Sequence, residues 1–523
     1  MKKTAIFITA MIFIALSGLS GGSAGAAAMN NNIKSAEVTM VTEDTDLSVK
    51  VSPTSSEDYY PLNRQWNGIP TVISAGNNIF VAWYTGGTKE PHDDNYIVVA
   101  ASDDNGQTWR EPYMIIDPVN PAHKVVLPMF FYNGAGELWL YYVATPGGYM
   151  GIKMLDADGP LDEVTFKQPF QVSPRTSFVK PTMLSDGRIM YVTGGPTDGY
   201  SSVFVSEDDG YSYREIALIK STSVRPVKTF TEACVVELED GRLWMVSRLE
   251  SGHHGGLEQA FSSDGGLTWT ISDGNLPYPL QGPGSRISLV KLQSGALLLV
   301  NNDNTSARNR MKAFLSYDDG ETWPHSIMID SQSTSYPEVY QDDEGLIYIA
   351  YDRDRYFEGG IRVTMLTEED IVAGEFISDA HRNKLVVTKM DLAYADIVSL
   401  NGAYDTKMTY PVGTTSDTLR TILPATFTVT DSNGDSHELT GSWRSSGYKQ
   451  DIPGTYTLTF IADEKPSTLL DAFDLLQVKV TLTPKGGTGG DGGGGGCNSA
   501  ASAGLLGLLP LGLAMAVRKR KRR

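Results

Sequence analysis

Short apolar runs that begin with a glycine recur six times along the chain, separated by polar, turn-forming residues. The runs are GNNIFVAWY, GELWLYYV, GRIMYVTG, GRLWMVSR, GALLLVNN and GLIYIAYD, and they start at Gly76, Gly136, Gly187, Gly241, Gly295 and Gly345. Strand-like runs such as PTVISA, PTMLSD and ISLVKL precede the glycines. Two such runs joined by a tight turn predict a β-hairpin. A period of about 50 to 60 residues predicts one four-stranded blade per repeat.

A polar motif of the form S-x-D-x-G-x-T-W lies in register with these runs. Its copies begin at Ser102, Ser206, Ser262 and Ser316. The first spacing is twice the others, so one repeat lacks the motif. Aspartate and glycine suit a tight turn in which the carboxylate accepts hydrogen bonds from nearby backbone N–H groups. We therefore expect the motif aspartates to form turns rather than to catalyse, and they are Asp104, Asp208, Asp264 and Asp318.

The repeats predict an all-β protein with a six-bladed β-propeller over residues 55–380. Closing the blades into a ring leaves few exposed sheet edges and surrounds an axial pocket with the inner strands. From residue 385 to residue 485 the pattern changes to short alternating strands with Gly, Asn and Pro turns. This pattern predicts a small β-sandwich, and its PVGT, LPATFTVT and PGTY strings resemble bacterial Ig-like domains. We expect it to be a spacer or a binding module.

Both ends of the chain have the composition of targeting segments. Residues 1–28 combine two lysines, an apolar run and small residues, which predicts a cleaved signal peptide and export. A Gly-rich linker over 486–497 precedes a hydrophobic segment with a basic tail over 498–523. This segment is either a C-terminal membrane anchor or a sorting signal for transfer to the cell surface. Its Gly-rich, Cys, hydrophobic and Arg order resembles bacterial sorting signals, so we expect a cell-surface or extracellular protein.

The charge and the cysteine count narrow the choice of partners. A formal charge of −19 argues against nucleic acid, because phosphate binding needs a basic face. An acidic substrate stays possible, since local arginines can outweigh the global field.

The two cysteines exclude a disulfide framework. No His and Cys spacing is of the zinc type, so the sequence predicts no metal and no cofactor, although the loop at Asp93 and Asp94 could hold Ca²⁺. We expect a monomer.

Aligning the repeats predicts which side chains surround the axis. The starts of the six inner strands are Gly68, Leu127, Lys180, Glu232, Arg286 and Tyr336. The ends of the second strands include Arg248, Asn302 and Asp352, with Arg353 just beyond. Arginine offers a planar fork for bidentate carboxylate binding. A tyrosine phenol is a weak nucleophile unless a base and nearby cations assist it. The convergence of these types predicts a site for an acidic ligand.

The S-x-D-x-G-x-T-W motif resembles the Asp box, or BNR repeat, of sialidases. The similarity covers about residues 55 to 376 and includes TEACVVELEDGRLWMVSR, AFLSYDDGETWP and SYPEV. It implies a retaining glycoside hydrolase with a sugar site at the propeller axis. By the same resemblance Tyr336 is the nucleophile, Glu232 is its base, and Asp93 or Asp94 is the general acid/base. Further contacts to the acidic sugar are expected from Arg248, Arg286, Lys180, Arg353 and His92.

One departure from the family pattern and one loop histidine leave alternatives open. Sialidases begin the first blade with Arg-Ile-Pro, whereas this chain has Gly68 before Ile and Pro. Either Lys180, Arg64 or Arg353 supplies the missing cation, or the substrate is another acidic sugar. His92 is either an ordinary surface residue or a proton-transfer group, in which case the propeller is a uronate-glycan lyase. The third possibility is a carbohydrate-binding propeller without catalysis.

Overall fold

The structure is a computed structural model that describes residues 33–34, 38–42, 47–51, 59–92, 94–118, 123–194, 200–220, 230–248, 257–272, 276–390, 394–401, 404–445, 448–466, 468–471 and 474–484. These residues are mostly in β-strands, so the predicted all-β class is confirmed. The predicted signal peptide, Gly-rich linker and C-terminal hydrophobic segment lie outside the described residues. Within the ranges given, no helix has the length and apolar character needed to cross a bilayer.

The first sheet follows a 3-10 turn at Pro61–Asn63. The strands of this part of the chain are β1 (Ile33–Lys34), β2 (Val38–Thr42), β3 (Leu47–Val51), β4 (Asn67–Ala75), β5 (Asn78–Thr85), β6 (Tyr96–Ser102) and β7 (Arg110–Pro118). Strands β4 to β7 pair antiparallel in chain order, and β3 and β2 extend the sheet beyond β7. Strand β5 is buried along its whole length, as its uninterrupted apolar run predicts.

Three further sheets follow the same hairpin pattern. The second contains β8 (Lys124–Tyr132), β9 (Leu138–Thr145), β10 (Gly148–Leu155), β11 (Thr165–Phe166) and β12 (Phe170–Ser173). The third contains β13 (Thr182–Met183), β14 (Ile189–Thr193), β15 (Tyr200–Ser206) and β16 (Arg214–Lys220). The fourth contains β17 (Thr231–Glu237), β18 (Leu243–Arg248), β19 (Leu257–Ser262) and β20 (Thr270–Ile271). In the second sheet β1 adds an outer strand by pairing with β11.

The next sheet has seven strands in chain order. They are β21 (Ser288–Lys291), β22 (Leu297–Asn302), β23 (Asn309–Ser316), β24 (His325–Gln341), β25 (Ile347–Arg353), β26 (Gly360–Leu366) and β27 (Arg382–Thr388). The long strand β24 pairs with β23 through its first part and with β25 through its second part. Helix α1 (Glu368–Ala373) follows β26 and begins with a capping box between Thr367 and Asp370.

Contacts between inner strands join most of the neighbouring sheets and connect the last sheet back to the first. Contacts join β4 to β8, β13 to β17, β17 to β21, β21 to β24, and β24 and β25 back to β4. The backbone N–H of Phe130 donates to Thr71 Oγ1 at 2.9 Å, and this hydrogen bond links the first two sheets near their inner edge. The arrangement is therefore propeller-like, with the start of the repeat region closed against its end.

The Asp-box aspartates form turns, as the sequence predicts. In the first copy Asp104 accepts from the backbone N–H of Thr108 at 2.9 Å and from its hydroxyl at 2.6 Å. The copies at Asp208, Asp264 and Asp318 repeat these contacts. The hydrogen bonds from Thr268 lower the pKa of Asp264 to about 2. These carboxylates are committed to their own turns.

A separate group of strands follows the repeats. It contains β28 (Ala395–Asn401), β29 (Lys407–Pro411), β30 (Thr426–Asp431), β31 (Ser436–Arg444), β32 (Gly454–Ala462), β33 (Leu469–Leu470) and β34 (Gln477–Thr483), with α2 (Ser416–Ile422). Strand β31 pairs with β30 through its first half and with β32 through its second half. The core of this group of strands combines aliphatic side chains with three aromatic rings, Phe427, Trp443 and Phe460, which contact one another edge to face.

Candidate active site

Four inner strands carry the same backbone irregularity near their start. The pairing register shifts after Gly68 in β4, Val126 in β8, Thr231 in β17 and Ser335 in β24. Each irregular stretch contains one non-glycine residue with a positive φ angle, and these are Ile69 (55°), Leu127 (56°), Glu232 (53°) and Tyr336 (51°). A β-bulge redirects a side chain, and a left-handed backbone is unfavourable for residues with a Cβ. The fold thus uses a strained repeat position to orient Glu232 and Tyr336.

The bulges also correct one detail of the predicted alignment. The alignment placed Gly68 at the position equivalent to Glu232 and Tyr336. In the structure Ile69, one residue later, has the positive φ angle that Leu127, Glu232 and Tyr336 share. Position 68 therefore lies at the edge of the bulge rather than at its centre.

Three of the predicted site residues lie in direct contact. Arg248, the last residue of β18, donates through Nη1 to Glu232 Oε2 at 2.9 Å and to Tyr336 Oη at 2.8 Å. The Tyr336 residue is only 5% exposed, and the side chains of Arg248 and Glu232 are 19% and 12% exposed. The phenol and the carboxylate therefore share one guanidinium in a nearly buried setting that still reaches solvent.

This environment keeps the Tyr336 phenol protonated at neutral pH. Burial raises its pKa, the Glu232 carboxylate raises it further, and Arg355 and Arg248 oppose part of that rise. For Arg248, burial alone would lower the pKa, but the interactions with Glu232 and with the Tyr336 hydroxyl raise it overall. Arg248 thus stays cationic, and Tyr336 needs a proton acceptor before it can attack an electrophile. Glu232 is the carboxylate that pairs with the same guanidinium.

Three more arginines approach the ring of Tyr336. The guanidinium carbons of Arg286 and Arg308 lie 5.3 Å from the ring centroid, and that of Arg355 lies 4.2 Å from it. These distances are in the cation–π range. Arg286 also donates to the carbonyl oxygens of Phe178 at 3.2 Å and Tyr336 at 3.5 Å. The structure therefore brings the predicted Arg286 to the cluster together with two arginines that the sequence analysis did not select.

Arg308 and Arg355 were missed because both lie in turns that follow strand ends. Arg308 lies between β22 and β23 and donates to the Gly284 carbonyl oxygen at 3.2 Å. Arg355 follows β25 and is 7% exposed. The alignment of the repeats compared only the last residue of each second strand and the residue just after it, so residues further along the turns were not considered. The one sequence signal was that both arginines come shortly after a predicted strand end at the mouth of the pocket.

Arg355 occupies the space beside Gly68. A Cβ atom at position 68 would lie 2.9 Å from Arg355 Nε and 3.0 Å from its guanidinium carbon, closer than real Cβ contacts. Arg355 pairs with Glu90 and, through Nη2, with Asp352 Oδ2 at 2.8 Å. Asp352 also accepts from the Ser335 hydroxyl at 2.6 Å. Arg355, from the turn after β25, therefore lies directly beside the backbone of Gly68.

The loop between β5 and β6 directs a different carboxylate to the cluster from those predicted. Glu90 contacts Arg355 and accepts from the Tyr84 hydroxyl at 2.8 Å. The Asp94 side chain is 66% exposed and lies 3.3 Å from His92 Nδ1, with the His92 side chain 34% exposed. His92 and Asp94 therefore pair with each other at the surface of this loop. Asp93 lies outside the described residues, so its acid/base role stays a prediction.

Lys180 and Arg64, two of the three residues proposed to replace the missing arginine, have other partners. Lys180 pairs with Glu338 Oε1 at 2.8 Å. Arg64 pairs with Glu111 and donates to the Tyr59 carbonyl oxygen at 2.6 Å. Neither cation is in ring contact with Tyr336 in the part of the chain that the structure describes.

Arg353 lies in a second ion cluster, away from the Tyr336 ring. Its side chain is 1% exposed, and its guanidinium lies 2.9 Å from Glu358, 2.5 Å from Asp396 and 3.6 Å from Asp330. Asp396 belongs to β28, so Arg353 connects the repeat region to the C-terminal strands. The predicted contact between Arg353 and a substrate does not fit this placement, because three carboxylates already surround the guanidinium.

Within the described ranges, no group of three or more His, Cys, Asp or Glu side chains is arranged so that it could hold a metal ion. The cluster around Tyr336 consists instead of four arginines, the carboxylates Glu232, Glu90 and Asp352, and one phenol. Such a set can bind an anionic group and can transfer a proton from the phenol to a carboxylate.

Comparison with known proteins identifies the family. The BNR repeat-like domain family matches residues 77–349. The sialidases of two Vibrio cholerae serotype O1 strains, El Tor Inaba N16961 and Classical Ogawa 395, are 28% identical to this chain over 153 residues. That match covers 25% of this chain and 19% of each sialidase, so the chain spans about a fifth of the length of these relatives.

Several solved structures are similar to this chain at low sequence identity. The Hadza microbial sialidase Hz136 is 19% identical with a TM-score of 0.47, over 62% of this chain and 69% of that protein. The intramolecular trans-sialidase from Ruminococcus gnavus is 14% identical with a TM-score of 0.44, over 59% of this chain and 95% of that protein. Because the family match spans more than half of the chain, this protein belongs to the BNR repeat-like domain family.

Proposed function

We propose that the protein is a sialidase-like exo-glycoside hydrolase that acts on an acidic sugar of extracellular glycans. The observation that carries the proposal is the single Arg248 guanidinium that contacts both Glu232 and the Tyr336 phenol. Tyrosine is a poor nucleophile in water, and a shared base and cation are what it needs to react. Sialidases are the glycosidases in which tyrosine replaces the nucleophilic carboxylate.

The proposed reaction has two balanced steps. Tyr336 Oη attacks the anomeric carbon while its proton passes to Glu232, and the bond from that carbon to the leaving-group oxygen breaks. Asp93 or Asp94 donates a proton to the leaving oxygen. In the second step water, deprotonated by the same aspartate, attacks the anomeric carbon, the bond from that carbon to Tyr336 Oη breaks, and the released phenolate recovers its proton from Glu232. Arg248, Arg286 and the neighbouring arginines bind the carboxylate of the sugar.

The architecture that we propose is a ring of six blades followed by an Ig-like sandwich. The shared use of β24 by two groups of strands supports the division of the seven-stranded sheet into two blades. The split pairing of β31 supports two packed sheets at the C-terminal side. We further propose an exported monomer that is held at the cell surface or released from it, where extracellular glycans are accessible.

Turnover assays separate this function from its alternatives. The full chain is assayed with a fluorogenic sialoside and with a panel of other acidic glycosides. Tyr336→Phe should lower kcat at least about 10³-fold, because it removes the nucleophile. Tyr340→Phe, four residues later on the same strand, is the matched control and should retain activity. Activity that survives in Tyr336→Phe would contradict the proposal.

Two other outcomes would favour the remaining candidates. A product with new ultraviolet absorbance would indicate elimination and hence a uronate-glycan lyase. Glycan binding with no turnover of any bound glycan would indicate a binding propeller. For the lyase, His92 pairs with Asp94 in the loop between β5 and β6, which leaves Tyr336 as the group that would move the proton.

A further inference from the structure

We propose that Arg355 sets the preference of this site for a carboxylate-bearing sugar, and that Glu90 is an internal carboxylate which the sugar's carboxylate displaces from Arg355. This inference rests on the proposed function and adds a specificity residue and a competing group to it. It starts from Gly68, where the chain lacks the arginine that the resemblance implies.

A side chain at position 68 and the Arg355 guanidinium would compete for the same space. Only a residue without a Cβ fits at 68 while Arg355 keeps its position, since the nearest guanidinium atom would be 2.9 Å away. The Arg355 backbone is fixed by the N–H of Asn67, which donates to its carbonyl oxygen at 3.2 Å. A cation is therefore present beside Gly68, but it belongs to the turn after β25.

Arg355 still has a hydrogen-bond donor to offer. Its Nε–H makes no hydrogen bond to any described residue, and the same holds for Arg248 Nε. Both guanidinium groups contact Tyr336, one through the ring face and one through the hydroxyl. Arg64, Arg353 and Arg362 also have an Nε–H without a hydrogen bond, so it is the position of Arg248 and Arg355 at Tyr336 that points to a ligand. A ligand carboxylate between these two arginines would supply acceptor oxygens.

The two carboxylates on Arg355 differ in how firmly they are held. Asp352 is fully buried and is fixed by the Ser335 hydroxyl and the Ile69 N–H. The Glu90 side chain is 21% exposed, comes from a surface loop, and has the Tyr84 hydroxyl as its other partner. Glu90 is thus the replaceable partner of Arg355.

Charge balance explains why Glu90 has to leave. Asp352 and Glu90 already pair with the Arg355 guanidinium, so a third carboxylate at this same guanidinium would add repulsion there. An incoming sugar carboxylate has the charge and the planar geometry of Glu90 and can replace it with no net loss of ion pairing. A neutral sugar cannot make this exchange. The pocket therefore discriminates by charge even though an internal carboxylate occupies Arg355 beforehand.

Calorimetric binding measurements test the exchange without turnover of any substrate. The full chain is titrated with N-acetylneuraminic acid and with glucuronic acid, each beside its uncharged methyl ester. Glu90→Gln should tighten binding of the preferred acid roughly five- to tenfold, because the competing charge is gone. Arg355→Gln should weaken it at least about tenfold and remove the preference for acid over ester. Glu111→Gln, which breaks the similar pair with Arg64, should leave the affinities unchanged.

A relocation variant separates specificity from simple structural damage. Gly68→Arg alone should weaken acid binding, since the new side chain collides with Arg355. Gly68→Arg combined with Arg355→Ala should recover the acid preference by placing the guanidinium on the other strand. The proposal is overturned if neither acid is preferred over its ester, if Glu90→Gln does not tighten binding, or if Arg355→Gln keeps the preference. Acid-selective binding without turnover would instead overturn the proposed hydrolase activity and retain this inference.

Discussion

Arg353 and Arg355 are two residues apart, and they take part in two different kinds of ion cluster. Arg353 is 1% exposed among Asp330, Glu358 and Asp396, and its cluster joins the repeat region to the C-terminal strands. Arg355 lies on the Tyr336 ring with one fixed carboxylate and one partly exposed carboxylate. Both arginines are buried, so burial alone does not tell a structural cation from a binding one.

The difference between the clusters is in the accessibility of the partners. The carboxylates around Arg353 are 0% to 5% exposed, and Arg362 adds a second guanidinium to the same set. Removing any member would leave a buried charge without its partner. The Tyr336 cluster instead keeps Arg248, Glu232 and Glu90 partly open to solvent. A ligand can reach these groups, which is why we assign function to one cluster and stability to the other.

The largest effect is expected from the structural cluster. Arg353→Met should lower the free energy of unfolding by about 3 to 5 kcal/mol, because it leaves buried carboxylates uncompensated. Chemical denaturation measures the loss. Lys407→Met is the matched control, since it breaks an exposed pair with Glu375 and should cost less than about 1 kcal/mol. Equal losses in the two variants would contradict the structural role, as would a fall in kcat for folded Arg353→Met.

The next largest effect belongs to the pocket. Arg248→Gln should lower kcat/KM about 100-fold, because both Glu232 and the Tyr336 hydroxyl lose their shared cation. Steady-state kinetics on the best substrate measure it. Arg242→Gln removes an exposed arginine that pairs with Asp240 in the same sheet, and its kinetics should match the parent chain. Unchanged kcat/KM in Arg248→Gln would show that the contact is structural only.

Asp471, in the C-terminal group of strands, should make the free energy of unfolding depend on pH. Burial, followed by the neighbouring Asp474, raises the pKa of Asp471 to about 6, while an unfolded aspartate has a pKa near 3.9. Between about pH 4 and pH 6 the folded chain holds a proton that the unfolded chain has released. The contribution of Asp471 is therefore full below about pH 4 and is lost as the pH rises to 6, by roughly 3 kcal/mol.

Denaturation between pH 4 and pH 7 measures this contribution. Asp471→Asn should flatten the pH dependence, although it also weakens one of the two backbone hydrogen bonds from Leu475 and Leu476. Asp463→Asn, an exposed change in the same group of strands, should keep the slope of the parent chain. A variant Asp471→Asn with an unchanged slope would disprove the assignment.

The smallest effect is expected at the loop histidine. His92→Ala should change kcat less than about threefold, since the side chain pairs with the exposed Asp94 at the surface. Turnover of the best acidic glycoside measures it. A loss of 100-fold or more is what proton transfer by His92 would produce, and it would favour the lyase alternative.

The sequence predicts the repeat, the all-β class and the meeting of Glu232, Arg248 and Tyr336. These features follow from spacing, because equivalent positions of successive repeats come together around one axis. The positive φ angles at Glu232 and Tyr336 are a property of the repeat that periodicity alone does not reveal. The alignment was therefore correct for the strand ends and one residue off at Gly68.

Residues in turns account for what the sequence analysis missed. Strand β25 ends at Arg353, and the next residue, Asp354, has a φ angle of 46°. This left-handed residue turns the chain, so Arg353 and Arg355 reach different clusters although alternation along a strand would place them on one face. Glu90 was overlooked for the same reason, because the loop between β5 and β6 carries several acidic residues and only folding shows which one contacts Arg355.

Covalent trapping of the nucleophile tests the central claim most directly. The full chain is incubated with a 2,3-difluorinated sialic acid, digested, and mapped by mass spectrometry. The account predicts one sugar adduct on the peptide that contains Tyr336, and no adduct in Tyr336→Phe. An adduct on another residue, or turnover of sialosides with no trapped tyrosine, would contradict it.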